Sequence, residues 1–238
     1  MTWKTGCGDI SASGLWTGSR AARRRRPNHT KLRDVAHIQL ANGPAPPYTP
    51  PMAKTHPHID DRIRAFIEKQ KMFFVASAPS GDGGHVNLSP KGYDSFRILG
   101  PNEVAYLDLG GSGIETLAHV RQNGRITFMF CAFEGAPNIL RLYGQAEAVS
   151  FDEEGFAEKL ALFPDFPKAR TIFTAKIDRI QDSCGWGVPF YEFTGERDQL
   201  VRVNAHRSDK DWSARRYESN AVSIDGIPGL VKPDTAAE

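Results

Sequence analysis

The 238-residue sequence has few cysteines and no long apolar run, and its first 51 residues lack phenylalanine and are nearly free of acid. The longest apolar stretch, residues 126–133, is far short of the roughly 20 residues that a spanning helix needs, so no membrane span is expected. No apolar run followed by a small-residue cleavage site marks a secretory signal. Cys7, Cys131 and Cys184 form no CxxC pair and no even disulfide framework. Cys131 lies in an apolar strand pattern, which fits a buried reduced thiol and a reducing, cytoplasmic setting. The seven histidines include no i, i+4 pair, and none has carboxylate companions at metal-ligand spacing; His56 and His58 merely flank Pro57. No metal site is expected, no Ser/His/Asp set is supported, and no catalytic residue can be named.

What is present is unevenly distributed. All 14 Phe lie between Phe66 and Phe193. Residues 1–51 hold 6 of the 16 Pro and eight Lys or Arg against only Asp9 and Asp34, a net charge of +6. The remaining residues carry 22 basic and 26 acidic groups, a net −4. Too little apolar surface offsets the ordering entropy of residues 1–51, so they are expected to be a disordered basic, Pro-rich extension. The run Arg23-Arg24-Arg25-Arg26 reads as a solvated basic face. It also fits a nuclear-localisation patch, and the segment a mitochondrial transit peptide, or a tail rarely translated because Met52 is the start. The domain is placed at residues 52–238. Its acidic balance weighs against a nucleic-acid binder, which normally presents a basic face.

Within the domain, Ile59, Ile63, Phe66 and Ile67 form a helical stripe, with Asp60 and Asp61 at its positive end. Strands are expected at residues 73–76, 86–88, 96–99 and 104–109, then a short helix at 112–122 closed by Gly124. Residues 125–133 are apolar on alternate positions of both parities, the pattern of a strand covered on both sides. Residues 139–151 alternate cleanly, 152–162 read as a helix and 171–180 as a strand. The remainder is helical, broken at Ser208-Asp209. Consecutive strands with short turns imply a mainly β fold, an antiparallel Greek-key barrel with flanking helices, and argue against a doubly wound parallel sheet.

Three stretches could carry chemistry. In Leu107-Asp108-Leu109-Gly110-Gly111-Ser112-Gly113-Ile114-Glu115-Thr116 a strand enters a Gly-rich turn that opens a helix, so backbone N–H groups can approach an anion. It is neither a GxGxxG nucleotide fingerprint nor a P-loop. A bland alternative is that Ser112 and Glu115 form a capping box that needs no ligand. Asn87-Leu88-Ser89-Pro90-Lys91-Gly92 offers hydroxyl, amide and a phosphate-matched point charge, yet also reads as an ordinary polar hairpin turn. Arg141 projects from the polar face of its strand, where an Arg is usually just solvated or ion-paired.

Taken in order, these segments resemble the pyridoxamine 5′-phosphate oxidase-like flavoproteins of the FMN-binding split β-barrel. Also carrying the resemblance are Phe73-Phe74-Val75-Ala76-Ser77-Ala78, Asn123-Gly124-Arg125-Ile126-Thr127 and Arg141-Leu142-Tyr143-Gly144. The resemblance implies FMN as cofactor. Its phosphate would be held by Ser89, Lys91 and the helix start with Gly111, Ser112, Gly113 and Thr116, with Asn87 and Gly92 beside them and Arg141 in reach. It implies a homodimer with FMN between two barrels, where Trp186 could stack on the flavin edge. The implied activity is hydride passage between a small-molecule substrate and the flavin. Two departures place the chain nearer to the broad branch than to the vitamin B6 enzyme. Glu115 stands where a cation is usual, and Cys184-Gly185-Trp186-Gly187-Val188-Pro189 replaces the Arg/His set that grips pyridoxal phosphate. The other readings are a non-enzymatic flavin- or haem-binding split-barrel protein and an interaction protein acting through Arg23-Arg24-Arg25-Arg26. For haem, His85 and His119 are the candidates, both expected to be exposed.

Overall fold

The computed structural model describes residues 53–233; the expected extension at residues 1–51 lies outside them. Helix α1 (Asp61–Lys69) forms on the expected stripe. Asp60 caps it, its carboxylate accepting the Ile63 N–H at 2.7 Å, and Ile63 and Ile67 are buried. The strands are β1 (Thr55–His56), β2 (Phe73–Ser77), β3 (Asn87–Lys91), β4 (Phe96–Gly100), β5 (Glu103–Asp108), β6 (Arg125–Cys131), β7 (Ile139–Ser150) and β8 (Thr171–Ser183). The other helices are α2 (Glu115–Asn123), α3 (Phe156–Leu160), α4 (Gln199–Ala205) and α5 (Asp209–Ser219).

Every strand pairing is antiparallel, in the order β3-β2-β6-β7-β8-β5-β4, with β1 added to β8. The fold is the expected split β-barrel with flanking helices. Its interior is aromatic: Phe73 stacks on Phe130 and Tyr106 on Phe173, each pair with centroids 5.6 Å apart. Val75, Phe128, Leu140 and Leu142 fill the rest of this core.

Three expectations are corrected. Asn87-Leu88-Ser89-Pro90-Lys91 is strand β3, not a hairpin turn. It is an edge strand, the one kind that tolerates Pro90, which has no N–H to give to a ladder. The strand covered on both faces is β5 rather than β6. Val104, Tyr106 and Asp108 face the aromatic core, while Ala105 and Leu107 face a second cluster with Phe163, Ala169 and Ile172. On β6 the residues opposite the core, Thr127 and Met129, are only half-buried. The expected helix at residues 152–162 is reduced to the single turn of α3.

A close backbone approach lies between β7 and β8. The register shifts at Tyr143/Gly144, and a Cβ on Gly144 would run into the Lys176 carbonyl. Because the obstacle is backbone, no rotamer change relieves it. Gly144→Ala should therefore cost about 1–3 kcal/mol, the usual range for overpacking. Urea unfolding measures this, and an unchanged midpoint would show that the two strands separate freely here.

Candidate functional site

Strand register places Asn87, Ser89 and Lys91 opposite Ser77, Val75 and Phe73, so all three turn to the inner side of the sheet. The Asn87 amide donates to Thr116 Oγ1 at 3.0 Å and to Ser77 Oγ at 3.5 Å. Ser89 Oγ donates to Asn87 Oδ1 at 3.0 Å. Asn87, Ser89 and Thr116 thus form one polar cluster beside the start of α2. Ser77 Oγ also bonds His119 Nδ1 at 3.0 Å. His119 is fully buried, not exposed as expected, because it lies on the barrel side of α2. Burial lowers its pKa and favours the neutral ring, and its Nε2 has no hydrogen-bond partner among the described residues.

The Gly-rich turn is built on Asp108, the last residue of β5. Burial alone would raise its pKa, but Arg170 foremost, then Lys91 and the Gly110 N–H, hold the carboxyl well below the usual carboxylate range. Arg170 Nε donates to Asp108 Oδ2 at 3.1 Å and its NH2 group makes a second, shorter bond to the same oxygen. Asp108 Oδ1 accepts from Tyr106 Oη at 3.3 Å and from the Gly110 N–H at 3.2 Å, with Lys91 Nζ 3.7 Å away. Lys91 also stands 5.6 Å above the Tyr106 ring.

Four successive carbonyls of the turn are tied down on one side. Arg216 donates to the Gly110 and Gly111 oxygens at 3.3 and 2.7 Å. Arg170 donates to those of Gly111 and Gly113 at 3.4 and 2.8 Å, and the Asn220 amide to that of Ser112 at 3.1 Å. In a trans peptide the N–H points opposite to its carbonyl. The N–H groups of Gly111, Ser112, Gly113 and Ile114 are therefore aimed away from the arginines. No acceptor for them exists among the described residues. Helix α2 continues the pattern, since its N-cap is Ile114 and no side chain caps it. The capping box does not form: Glu115 is the first helical residue, not the third, and its Oε1 accepts the Ile224 N–H at 3.3 Å. The carboxylate folds back over Gly113 at the mouth of the turn. A row of free N–H groups at an uncapped helix start has the donor geometry that anions favour.

A groove of about 620 Å³ opens here, between His85, Asn87, Ser112, Gly113, Glu115 and Ile224. Lys91 and Gly92 border a second cavity of about 700 Å³ with Lys71, Tyr93, Phe133 and Tyr191. Lys91 lines only the second cavity, and its Nζ reaches the base of the turn at Asp108, 3.7 Å away. Arg141 is not brought to them within one chain. It pairs with Met129, which pairs with Phe74 and then Pro90, on the opposite face of the sheet, and it donates to Ser183 Oγ at 3.1 Å. Trp186 is 63 % exposed on the irregular segment after β8. Sequence reading missed Arg170, Arg216 and Asn220. Arg216 and Asn220 stand at the end of α5 and Arg170 just before β8, where local pattern names no partner, and only Asp108, an acid at an inward strand position among apolar neighbours, hinted at a buried cation.

A model of pyridoxamine 5′-phosphate oxidase matches residues 59–184. A relative from Aspergillus flavus, the pyridoxamine 5′-phosphate oxidase family protein ustO, is 35 % identical over 190 residues, 72 % of this chain and 76 % of that protein. The chain belongs to the pyridoxamine 5′-phosphate oxidase family. Among solved structures, a variant of HupZ from group A Streptococcus is 22 % identical with TM-score 0.43, covering 52 % of this chain and 98 % of its own. A putative pyridoxamine 5′-phosphate oxidase from Lactobacillus delbrueckii is 16 % identical with TM-score 0.42, covering 53 % and 98 %.

The depressed Asp108 pKa gives its pairing a pH signature. Its stabilisation is present above the unfolded carboxylate pKa of about 3.9 and is lost as pH falls below that value. Asp108→Asn should lower stability at pH 7 and flatten the stability curve below about pH 4. Urea unfolding from pH 3 to 7 tests this; an acid limb unchanged by the substitution would assign acid sensitivity to other carboxylates.

Proposed function

We propose that this chain is an FMN-binding flavoprotein that passes a hydride between a small-molecule substrate and the flavin. The observation that carries the reading is the set of four tied carbonyls, which leaves the N–H groups of residues 111–114 and the uncapped start of α2 free for a phosphate. Lys91, Arg170 and Arg216 surround the turn against Asp108, the one buried carboxylate among the described residues, and the half-buried Glu115 at its mouth, which leaves a surplus of one positive charge. A dianionic phosphate relieves that surplus. Ser112, Thr116, Ser89 and Lys91 would hold the phosphate, with Asn87 orienting Ser89 and Thr116. When bound, the flavin supplies a two-electron hydride acceptor or donor.

Trp186, Phe190, Tyr191 and Phe193 are 45–79 % exposed on one short segment beside the cavity that Lys91 borders. In this reading a second copy of the chain covers that apolar surface and closes the flavin cleft. Haem would have one candidate ligand, the exposed His85, whose Nδ1 pairs with Asp225 at 2.6 Å and leaves Nε2 as the ligating atom, while the His119 ring is sealed in the interior.

Lys91→Ala should weaken FMN about 10- to 150-fold, the equivalent of one hydrogen bond to a charged group. Riboflavin, which lacks the phosphate, should lose much less. Fluorescence quenching of both flavins by wild-type and variant apoprotein measures the pair. Equal losses would mean that Lys91 acts through folding, and a Soret band in the purified protein would replace the flavin reading with haem.

A further inference from the structure

We propose that residues 212–230 form a strap that sets the anion affinity of the turn at residues 110–113, with Asn220 and Arg216 as its positioning residues. The consequence for FMN rests on the function proposed above; the consequence for phosphate itself does not. Both residues lie beyond the segment 59–184 matched by the family model.

The strap is anchored along its length. Trp212 packs edge-on against Phe151 with centroids 4.9 Å apart, and Tyr217 Oη donates to Asp152 Oδ2 at 2.8 Å. Arg121 holds the Gly229 carbonyl at 2.6 Å, and the Leu230 N–H bonds the Asn220 carbonyl at 2.9 Å. A Cβ on Gly229 would collide with the Asn220 carbonyl and with Ile114, so the strap lies directly on the residue that begins α2.

Asn220 is fully buried, and its amide spans the two halves of the site. Its Oδ1 accepts from Arg170 at 2.9 Å while its Nδ2 donates to the Ser112 carbonyl at 3.1 Å. A side-chain amide does both at once, through its separate oxygen and nitrogen. Arg216 is 8 % exposed, and its pKa is lowered by burial and then by Arg170, Arg215 and Arg207. Its Nε is buried with no partner, and it has no carboxylate within ion-pair distance among the described residues. Such a cation costs stability in the ligand-free protein. What it gains is the Gly110 and Gly111 carbonyls. A turn with three glycines in four residues samples many conformations when free. Fixing each peptide plane from behind lowers the entropy that an anion must overcome on binding.

Asn220→Asp separates this role from a structural one, because it keeps the side-chain shape. It removes the donor to the Ser112 carbonyl and places a carboxylate on Arg170. In the full chain, Asn220→Asp should lower FMN affinity at least about tenfold, with riboflavin affinity changed less than about twofold. Inorganic phosphate should raise the melting temperature of the wild type and do so less for the variant, while the ligand-free melting temperature of the variant stays level or rises. Arg216→Lys keeps the charge without the fork and should shift the same readouts in the same direction, and it decides the matter if Asn220→Asp fails to fold. Wild-type FMN and phosphate responses in the variants would overturn the strap. Phosphate stabilisation without FMN binding in the wild type would overturn the FMN reading and leave the strap to be judged on phosphate alone. No response of the wild type to either anion would overturn both.

Discussion

The site depends on one buried ion pair. Asp108 and Arg170 are 4 % and 3 % exposed, and neither could be left alone in that environment without a large desolvation cost. Asp108 is buried because β5 is the strand covered on both faces, so the carboxylate at its end cannot reach water. Arg170 is brought to it by the antiparallel pairing of β5 with β8, in which Asp108 stands opposite Thr171. Fold topology thus delivers a guanidinium to the exact end of the strand where the chain must turn. The rest of that guanidinium then reaches the carbonyls of Gly111 and Gly113 and the amide of Asn220.

From this pair the polarity of the turn follows. Once the carbonyls face the arginines, the N–H groups have no direction left but outward, and α2 starts with no side chain to satisfy its first turn. The interaction that stabilises the end of the strand is the one that turns the row of N–H groups outward. The same logic explains why three glycines stand here. Gly110 has φ +79°, the left-handed region that other residues enter at a cost. A Cβ at Gly113 would meet the Glu115 carboxylate.

Elements with a strong period were legible in the sequence: the α1 stripe, the alternation of β7, and the Gly124 close of α2, which has φ +72°. The Gly-rich turn and the Asn87, Ser89 and Lys91 set were also legible, as residue types suited to an anion. What was not legible was contact across the chain. Arg170 lies 62 residues from Asp108, and Asn220 lies 108 from Ser112. No local pattern encodes such pairs. The turn reading of residues 87–92, a segment that contains Pro90, failed for a related reason. Pro90 argues against a strand in general, and only the knowledge that β3 is an edge reverses that argument. His119 read as exposed because its neighbours on α2 include Arg121 and Gln122, but it falls on the helix face that packs against β2.

The charge of the whole domain and the charge of the site have opposite signs, and this separates recognition at contact from attraction at a distance. Residues 52–238 carry a net −4, and Glu115 adds a carboxylate at the mouth of the groove. An approaching anion meets no favourable long-range field, since charges beyond about 8–10 Å are screened at physiological ionic strength. Its binding energy must come from groups it touches: the aligned N–H row, Lys91, and the surplus charge of the buried arginines. Those groups are held in place by hydrogen bonds that exist before any ligand arrives. Such a site favours a compact anion that can enter the groove over an extended polyanion, which would have to lie along the acidic surface around it. That is why the domain's acidic composition is compatible with the phosphate-binding role proposed for the turn, and why composition alone pointed away from nucleic acid without pointing away from a phosphorylated cofactor.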